Sequence, residues 1–183
     1  PFKFWILKLF GLLNPSQLEN VEWNKENKIL FADATNRIPL SDSSAECIYS
    51  SHMLEHLSRD GARLFLKEAL RVVDDGGVLR IAVPDLQHFI NNYIAKKDAN
   101  EFMSKMHVSA PPLNSLRQKL LLFFVGYRHH QWMYDGKSLS LLMKNSGLRN
   151  VKVYQKGETS IQDPKGLNLY ERSEESVYVE GIK

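Results

Sequence analysis

Residues 46–83 change hydrophobic period twice, and this constrains the fold more than any other feature of the chain. Residues 46–50 form a short apolar run that gives way to the polar string Ser50, Ser51, His52, as a buried strand does where it leaves a sheet. From Ser58 the spacing becomes helical: Ala62, Leu66, Leu70 and Val73 fall on one stripe, with Phe65, Ala69 and Val72 beside it, and Ser58 is placed to cap the helix. Asp74, Asp75, Gly76 and Gly77 then break the pattern, and residues 78–83 form a β-branched run closed by Pro84 and Asp85. A connection of helical length between two apolar strands predicts a strand–helix–strand unit whose strands run parallel.

The flanking sequence extends this alternation. Residues 29–32 are another short apolar run, ending in Asp33, and predict a further buried strand. Residues 86–135 read as a mainly helical insertion over the sheet, with apolar clusters at Phe89, Ile90 and Tyr93 and again at residues 120–125, separated by Ala110, Pro111 and Pro112. Residues 138–145 predict one more helix stopped by Gly147, and residues 150–154 and 176–182 alternate like the antiparallel strands that close a sheet. The fold class expected is α/β: a mostly parallel sheet with an antiparallel C-terminal hairpin and helices on both faces, in one domain over residues 1–183.

At 183 residues, 43% hydrophobic and 25% charged, the chain has the composition of an ordinary globular domain rather than a disordered, collagen-like or membrane protein. Lys and Arg exceed Asp and Glu by only 24 to 21 and are interspersed, so no nucleic-acid partner is expected. Cys47 is the one cysteine, which excludes an intrachain disulfide and a cysteine-based zinc site and predicts a reducing, cytoplasmic setting. The apolar stretch 2–13 is interrupted by Lys3 and Lys8 and is too short to span a bilayer; a buried strand or helix is expected there ahead of a membrane-surface segment.

In open α/β sheets ligands bind beyond the carboxyl ends of the strands, which here carry Glu22, Asp33, Ser50, Ser51, His52 and Asp85. The stretches "ADATNRIPLSDSSAECIYSSHMLEHL" and "EALRVVDDGGVLRIAVPDL" resemble the middle of class I S-adenosylmethionine-dependent methyltransferases. The segments "HHQWMYDGKSLSLLMKNSGLRNVKVY" and "ESVYVEGIK" are similar to small members associated with sugar and cell-surface polysaccharide clusters. The resemblance implies a Rossmann-like sheet and S-adenosylmethionine as cofactor. It sets Gly11 at the first glycine of the cofactor loop, Glu22 at the ribose hydroxyls, Asp33 and the Ala34 backbone at the adenine, and Ser50, Ser51 and His52 at the methionine end. Glu22 could equally be a solvated surface acid, and the serines could be helix caps.

Methyl transfer to a hydroxyl needs positioning and a base for the departing proton, for which His52, Glu55, His56, His129 and His130 are candidates, His52, His56 and His129 foremost. His52 and His56 lie four apart, a spacing that suits a metal, but no third ligand is evident and no metal is expected. His130, Trp132 and Tyr134 suit stacking on a sugar or ring of the acceptor, or else packing of the last helix. The expected activity is transfer of a methyl group to a small-molecule or glycan-linked acceptor, on oxygen by resemblance. The second reading is a catalytically silent binding or assembly module, motivated by the branched Leu12 and Leu13 in the loop. A dinucleotide-dependent dehydrogenase is disfavoured, since no GxGxxG is present.

Overall fold

The computed structural model describes residues 19, 29–30, 32–108, 129–164 and 166–183. The chain divides into two compact units, Pro1–Asp33 with Ala110–Arg128, and Ala34–Ser109 with His129–Lys183. Of the first unit the described residues include Ile29, Leu30, Ala32 and Asp33, all exposed and outside any strand. This corrects the strand expected at residues 29–32. An apolar run becomes a strand only where a neighbour pairs with its backbone, and no described strand does so here. The segment 2–13 and the cluster 120–125 lie outside the described residues.

The second unit holds a four-stranded sheet, β1 (Ala45–Ser51), β2 (Val73–Pro84), β3 (Arg149–Tyr154) and β4 (Ser176–Ile182), in the order β1-β2-β4-β3. β1 and β2 are parallel, joined by helix α1 (Arg59–Val72) as the period switch predicts, whereas β4 runs antiparallel to both β2 and β3. The fold is therefore α/β with the expected antiparallel C-terminal hairpin, and the described part of the sheet is mixed. Ser58 caps α1, its hydroxyl accepting from the Gly61 amide at 3.1 Å. The break expected at residues 74–77 survives as a bulge: Val73 pairs with Ala45, and regular pairing resumes only at Val78 with Cys47. Gly76 takes φ +86°, and a Cβ on Gly77 would stand 2.8 Å from the Glu46 carbonyl oxygen.

Helix α4 (Gly136–Asn145) starts two residues before the predicted Ser138, because Asp135 is its N-cap. Asp135 accepts from the Ser138 amide at 2.6 Å, and the Ser138 hydroxyl accepts from the Asp135 amide at 3.0 Å, closing a capping box. The predicted insertion supplies helices α2 (Leu86–Lys96) and α3 (Ala99–Met106), capped by Asp85 and Asp98. No helix among the described residues is long and apolar enough to cross a membrane.

Both faces of the β2–β4 pair are covered, by different chemistry. One face places Leu79, Ile81, Val83, Val177 and Val179 in a single core with Ala62, Phe65, Leu66 and Ala69 of α1 and Leu139, Leu142 and Met143 of α4. The other face carries the fully buried Arg80, whose Nη1 donates to Glu180 at 2.5 Å and to the Glu158 carbonyl at 2.9 Å. Glu180 also accepts from Thr159 Oγ1 (2.6 Å), the Ser160 amide (2.7 Å) and Ser160 Oγ (2.5 Å), so the connection after β3 is tied to the sheet. Burial alone would raise the Glu180 carboxyl, but the hydrogen bonds from Ser160, Thr159 and Arg80 hold it below its ordinary value. The Arg80 guanidinium lies 4.9 Å from the Tyr178 ring centroid.

Candidate functional site

β1 ends where the resemblance sets the methionine end of the cofactor. His52 sits in the left-handed region at φ +48°, its amide donating to the Ala82 carbonyl at 2.9 Å, and the chain then turns into a 3-10 helix at Leu54–His56. The hydroxyls of Ser50 and Ser51 are shielded from solvent and make no hydrogen bond among the described residues. His52 bridges two elements: its Nε2 lies 3.0 Å from Ser176 Oγ, the first residue of β4, and its Nδ1 lies 3.3 Å from Glu55 Oε1.

Glu55 is the centre of the arrangement. Its side chain is 1% exposed, neither carboxylate oxygen makes a hydrogen bond among the described residues, and His56 Nε2 lies 3.9 Å from Oε1. The backbone around it is held firmly. The Glu55 carbonyl accepts from the amides of Gln131 (2.8 Å) and Trp132 (3.2 Å), and Gln131 Nε2 donates to the His56 carbonyl at 2.7 Å. The segment after residue 128 is thereby docked on the 3-10 turn. It carries His130, which is buried with its ring edge-on to those of His56 (5.0 Å) and His107 (5.5 Å). The donor atoms of Glu55, His56 and His130 all lie within 4.8 Å of one another. Burial pushes the His130 imidazole below its ordinary pKa, with Glu55 opposing.

Beside this cluster the Arg59 guanidinium lies 4.8 Å from the Trp132 ring centroid and 5.7 Å from that of Tyr134. Trp132 is 44% exposed, whereas Tyr134 is fully buried, belongs to the core, and has its phenol raised by burial. A separate groove between α2 and α3, lined by Phe89, Tyr93, Phe102, Lys96 and Lys105, contains none of these residues.

The structure thus brings His52, His56, His130, Trp132 and Tyr134 into one region of the second unit, while His129 enters through its carbonyl, which lies 3.3 Å from His56 Nδ1. Ala34 is half-buried and packs against the core. Asp33 is exposed and falls in the first unit. Gly11 and Glu22 lie outside the described residues. Sequence reasoning did not anticipate the central place of Glu55 or the parts of Arg59, His107 and Ser176. Ser176 stands 124 residues from His52, and only the register of β4 against β2 brings it there.

Residues 13–81 match the family model described as a methyltransferase domain, a match that ends within β2. No curated protein matches the chain. Among solved structures it is similar to an S-adenosylmethionine-dependent methyltransferase from Thermotoga maritima, described as a possible histamine N-methyltransferase, with 22% identity and TM-score 0.50, covering 82% of this chain and 61% of that one. It is also similar to such methyltransferases from Aquifex aeolicus (18% identity, TM-score 0.44, covering 89% and 62%) and Archaeoglobus fulgidus (14%, 0.42, covering 79% and 62%). The chain spans about three fifths of the length of these structures, their covered shares being 61%, 62% and 62%. It shares the α/β fold of the Thermotoga maritima structure, and its residues 13–81 match the methyltransferase-domain model.

Proposed function

We propose that this domain transfers a methyl group from S-adenosylmethionine to an oxygen of a small-molecule or glycan-linked acceptor. The observation that carries the reading is the methyltransferase-domain match over residues 13–81, which includes the strand end bearing Ser50, Ser51 and His52. Those residues fit the cofactor's amino-acid end: two shielded hydroxyls have no hydrogen-bond partner among the described residues and would gain one from an ammonium or carboxylate. The cofactor, when bound, supplies a sulfonium methyl for in-line displacement.

Ser50 and Ser51 would hold the methionine portion and the Ala34 backbone the adenine edge; Gly11, Glu22 and Asp33 enter on resemblance alone. His52 would take the acceptor's proton: Glu55 faces its Nδ1, so the ring presents Nε2 towards Ser176. His56 and His129 stand behind it as alternative bases. An oxygen acceptor is favoured by this concentration of imidazoles, because a hydroxyl must lose a proton as it is methylated. A sugar-like acceptor is favoured by the exposed Trp132, stiffened by Arg59 and able to stack on a ring with His130 and Tyr134 behind it.

Calorimetry with S-adenosylmethionine and S-adenosylhomocysteine tests the reading. The folded protein should bind both, and Ser51→Val should weaken binding at least about tenfold, as loss of a hydrogen bond to a charged group does. No heat of binding from protein shown to be folded would refute it and leave the silent binding or assembly module.

A further inference from the structure

We propose that Glu55, His56 and His130 form a binding site for a divalent transition metal ion of the zinc type. The spacing of His52 and His56 in the sequence offered only two donors. Folding gives His56 other companions in place of His52: the buried carboxylate of Glu55 and the His130 imidazole from the segment docked after residue 128. The donor atoms of Glu55, His56 and His130 lie within 4.8 Å of one another. Around one tetrahedral ion with bonds of about 2.0–2.2 Å, ligand atoms stand roughly 3.3–3.6 Å apart. Side-chain adjustments of about an ångström would close the set on an ion.

Glu55 is what separates this group from an ordinary histidine cluster. A carboxylate 1% exposed, with no hydrogen bond to either oxygen among the described residues, is shut away from water without a replacement, a costly state unless a cation lies against it. Two kinds of partner are open to it, the imidazoles of His52 at 3.3 Å and His56 at 3.9 Å or a metal ion. A metal satisfies more of the observations, because it also explains why His56 and His130 converge on the same carboxylate. The site is built in advance as well. Gln131 and Trp132 donate to the Glu55 carbonyl, Gln131 Nε2 donates to that of His56, and the His130 amide donates to the His107 carbonyl at 2.9 Å. Two imidazoles and one carboxylate favour zinc or a neighbouring first-row ion over magnesium or calcium, which prefer all-oxygen shells. Three protein ligands leave a fourth position for water, the arrangement of an open rather than a purely structural zinc site.

The proposal is independent of methyl transfer, and its test needs no cofactor. The full chain is stripped with a chelator, dialysed and titrated with Zn²⁺ by calorimetry, and with Co²⁺ by visible spectroscopy, whose ligand-field bands report nitrogen ligation. One ion should bind per chain and raise the thermal midpoint. Glu55→Gln, His56→Gln and His130→Ala should each weaken binding at least about tenfold, while His88→Gln, on α2 and outside the cluster, should leave it unchanged. His56 is the most exposed of the three ligands, so His56→Gln carries the test if circular dichroism shows that a buried-site variant fails to fold. The proposal is overturned if the folded wild-type chain binds neither ion, or if the folded variants bind Zn²⁺ as tightly as wild type. The first result would leave Glu55 facing only the imidazoles of His52 and His56 among the described residues.

Discussion

Removing Arg80 from the sheet tests how far the polar face holds the domain together. Arg80→Met preserves the length of the stem but deletes the guanidinium that Glu180 faces at 2.5 Å, in a place where Arg80 is 0% and Glu180 1% exposed. The carboxylate keeps its bonds from Thr159 and Ser160 but loses its only ion-pair partner among the described residues, and the Glu158 carbonyl loses a donor. Breaking one side of a buried pair costs about 3–5 kcal/mol, because the remaining charge stays out of water. In a domain of this size each kcal/mol moves the melting midpoint by roughly 2–4 °C, so a fall of about 6–20 °C is expected. Glu180→Met should be as damaging, stranding the guanidinium. The double variant should recover at least half of the loss, since neither charge is then buried alone, with about 1–3 kcal/mol remaining for the unpaired Thr159 and Ser160 donors. Urea unfolding followed by tryptophan fluorescence reads all four proteins. Single variants costing less than about 1 kcal/mol, or strictly additive losses in the double variant, would refute the reasoning.

Three further outcomes follow from named contacts. The Arg71 hydrogen bond to Glu68, with the Ile38 amide adding to it, lowers that carboxyl from 4.5 to about 2; its stabilisation is complete above pH 4.5 and is lost as pH falls towards 2. Melting curves across that window should therefore flatten in Glu68→Gln, and an unchanged acid slope would count against the pairing. Gly77→Ala should cost about 1–3 kcal/mol through the 2.8 Å approach to the Glu46 carbonyl, more than Gly166→Ala, where φ is +82° but nothing lies within 4 Å and about 1 kcal/mol is expected; the opposite order in thermal denaturation would show the bulge to be pliable. Trp132→Ala should raise the acceptor KM at least about tenfold without changing cofactor affinity, and equal losses in both would point to a packing role.

Where local chemistry decided the structure, the sequence could be read. Ser58 caps α1, residues 176–182 are the last strand, and the 78–83 run pairs with both neighbours, because capping and period-2 alternation act within a few residues. Residues 136–137 escaped notice because the glycine at 136 argues against a helix until the reciprocal Asp135–Ser138 bonds are seen. The exposed Ile29 and Leu30, which pair with no described strand, show that apolar character alone does not make a strand. Arg80 was hidden in an apolar run, because its partner stands 100 residues away and becomes visible only through sheet register. Glu55 illustrates the same limit within the candidate site. The sequence offers it only as one candidate base among five, and its burial, with Gln131 and Trp132 docked onto its carbonyl, is what sets it apart.

The place of β4 between β2 and β3 imposes an order on folding during synthesis. Among the described residues β3 pairs with no strand but β4, so it cannot enter the sheet when it leaves the ribosome. The residues that follow it, 155–175, take roughly 1–4 s to translate at about 5–20 residues per second. Until residues 176–182 emerge, the described part of the nascent chain offers only the parallel β1–β2 pair, with the far edge of β2 unpaired and Leu79, Ile81 and Val83 without Val177 and Val179 beside them. An open, apolar strand edge of this kind is what strand-adding aggregation and chaperone capture both recognise. A chain stalled before residue 176 would therefore remain a client of the ribosome-associated chaperones, and its release would coincide with the insertion of one seven-residue strand.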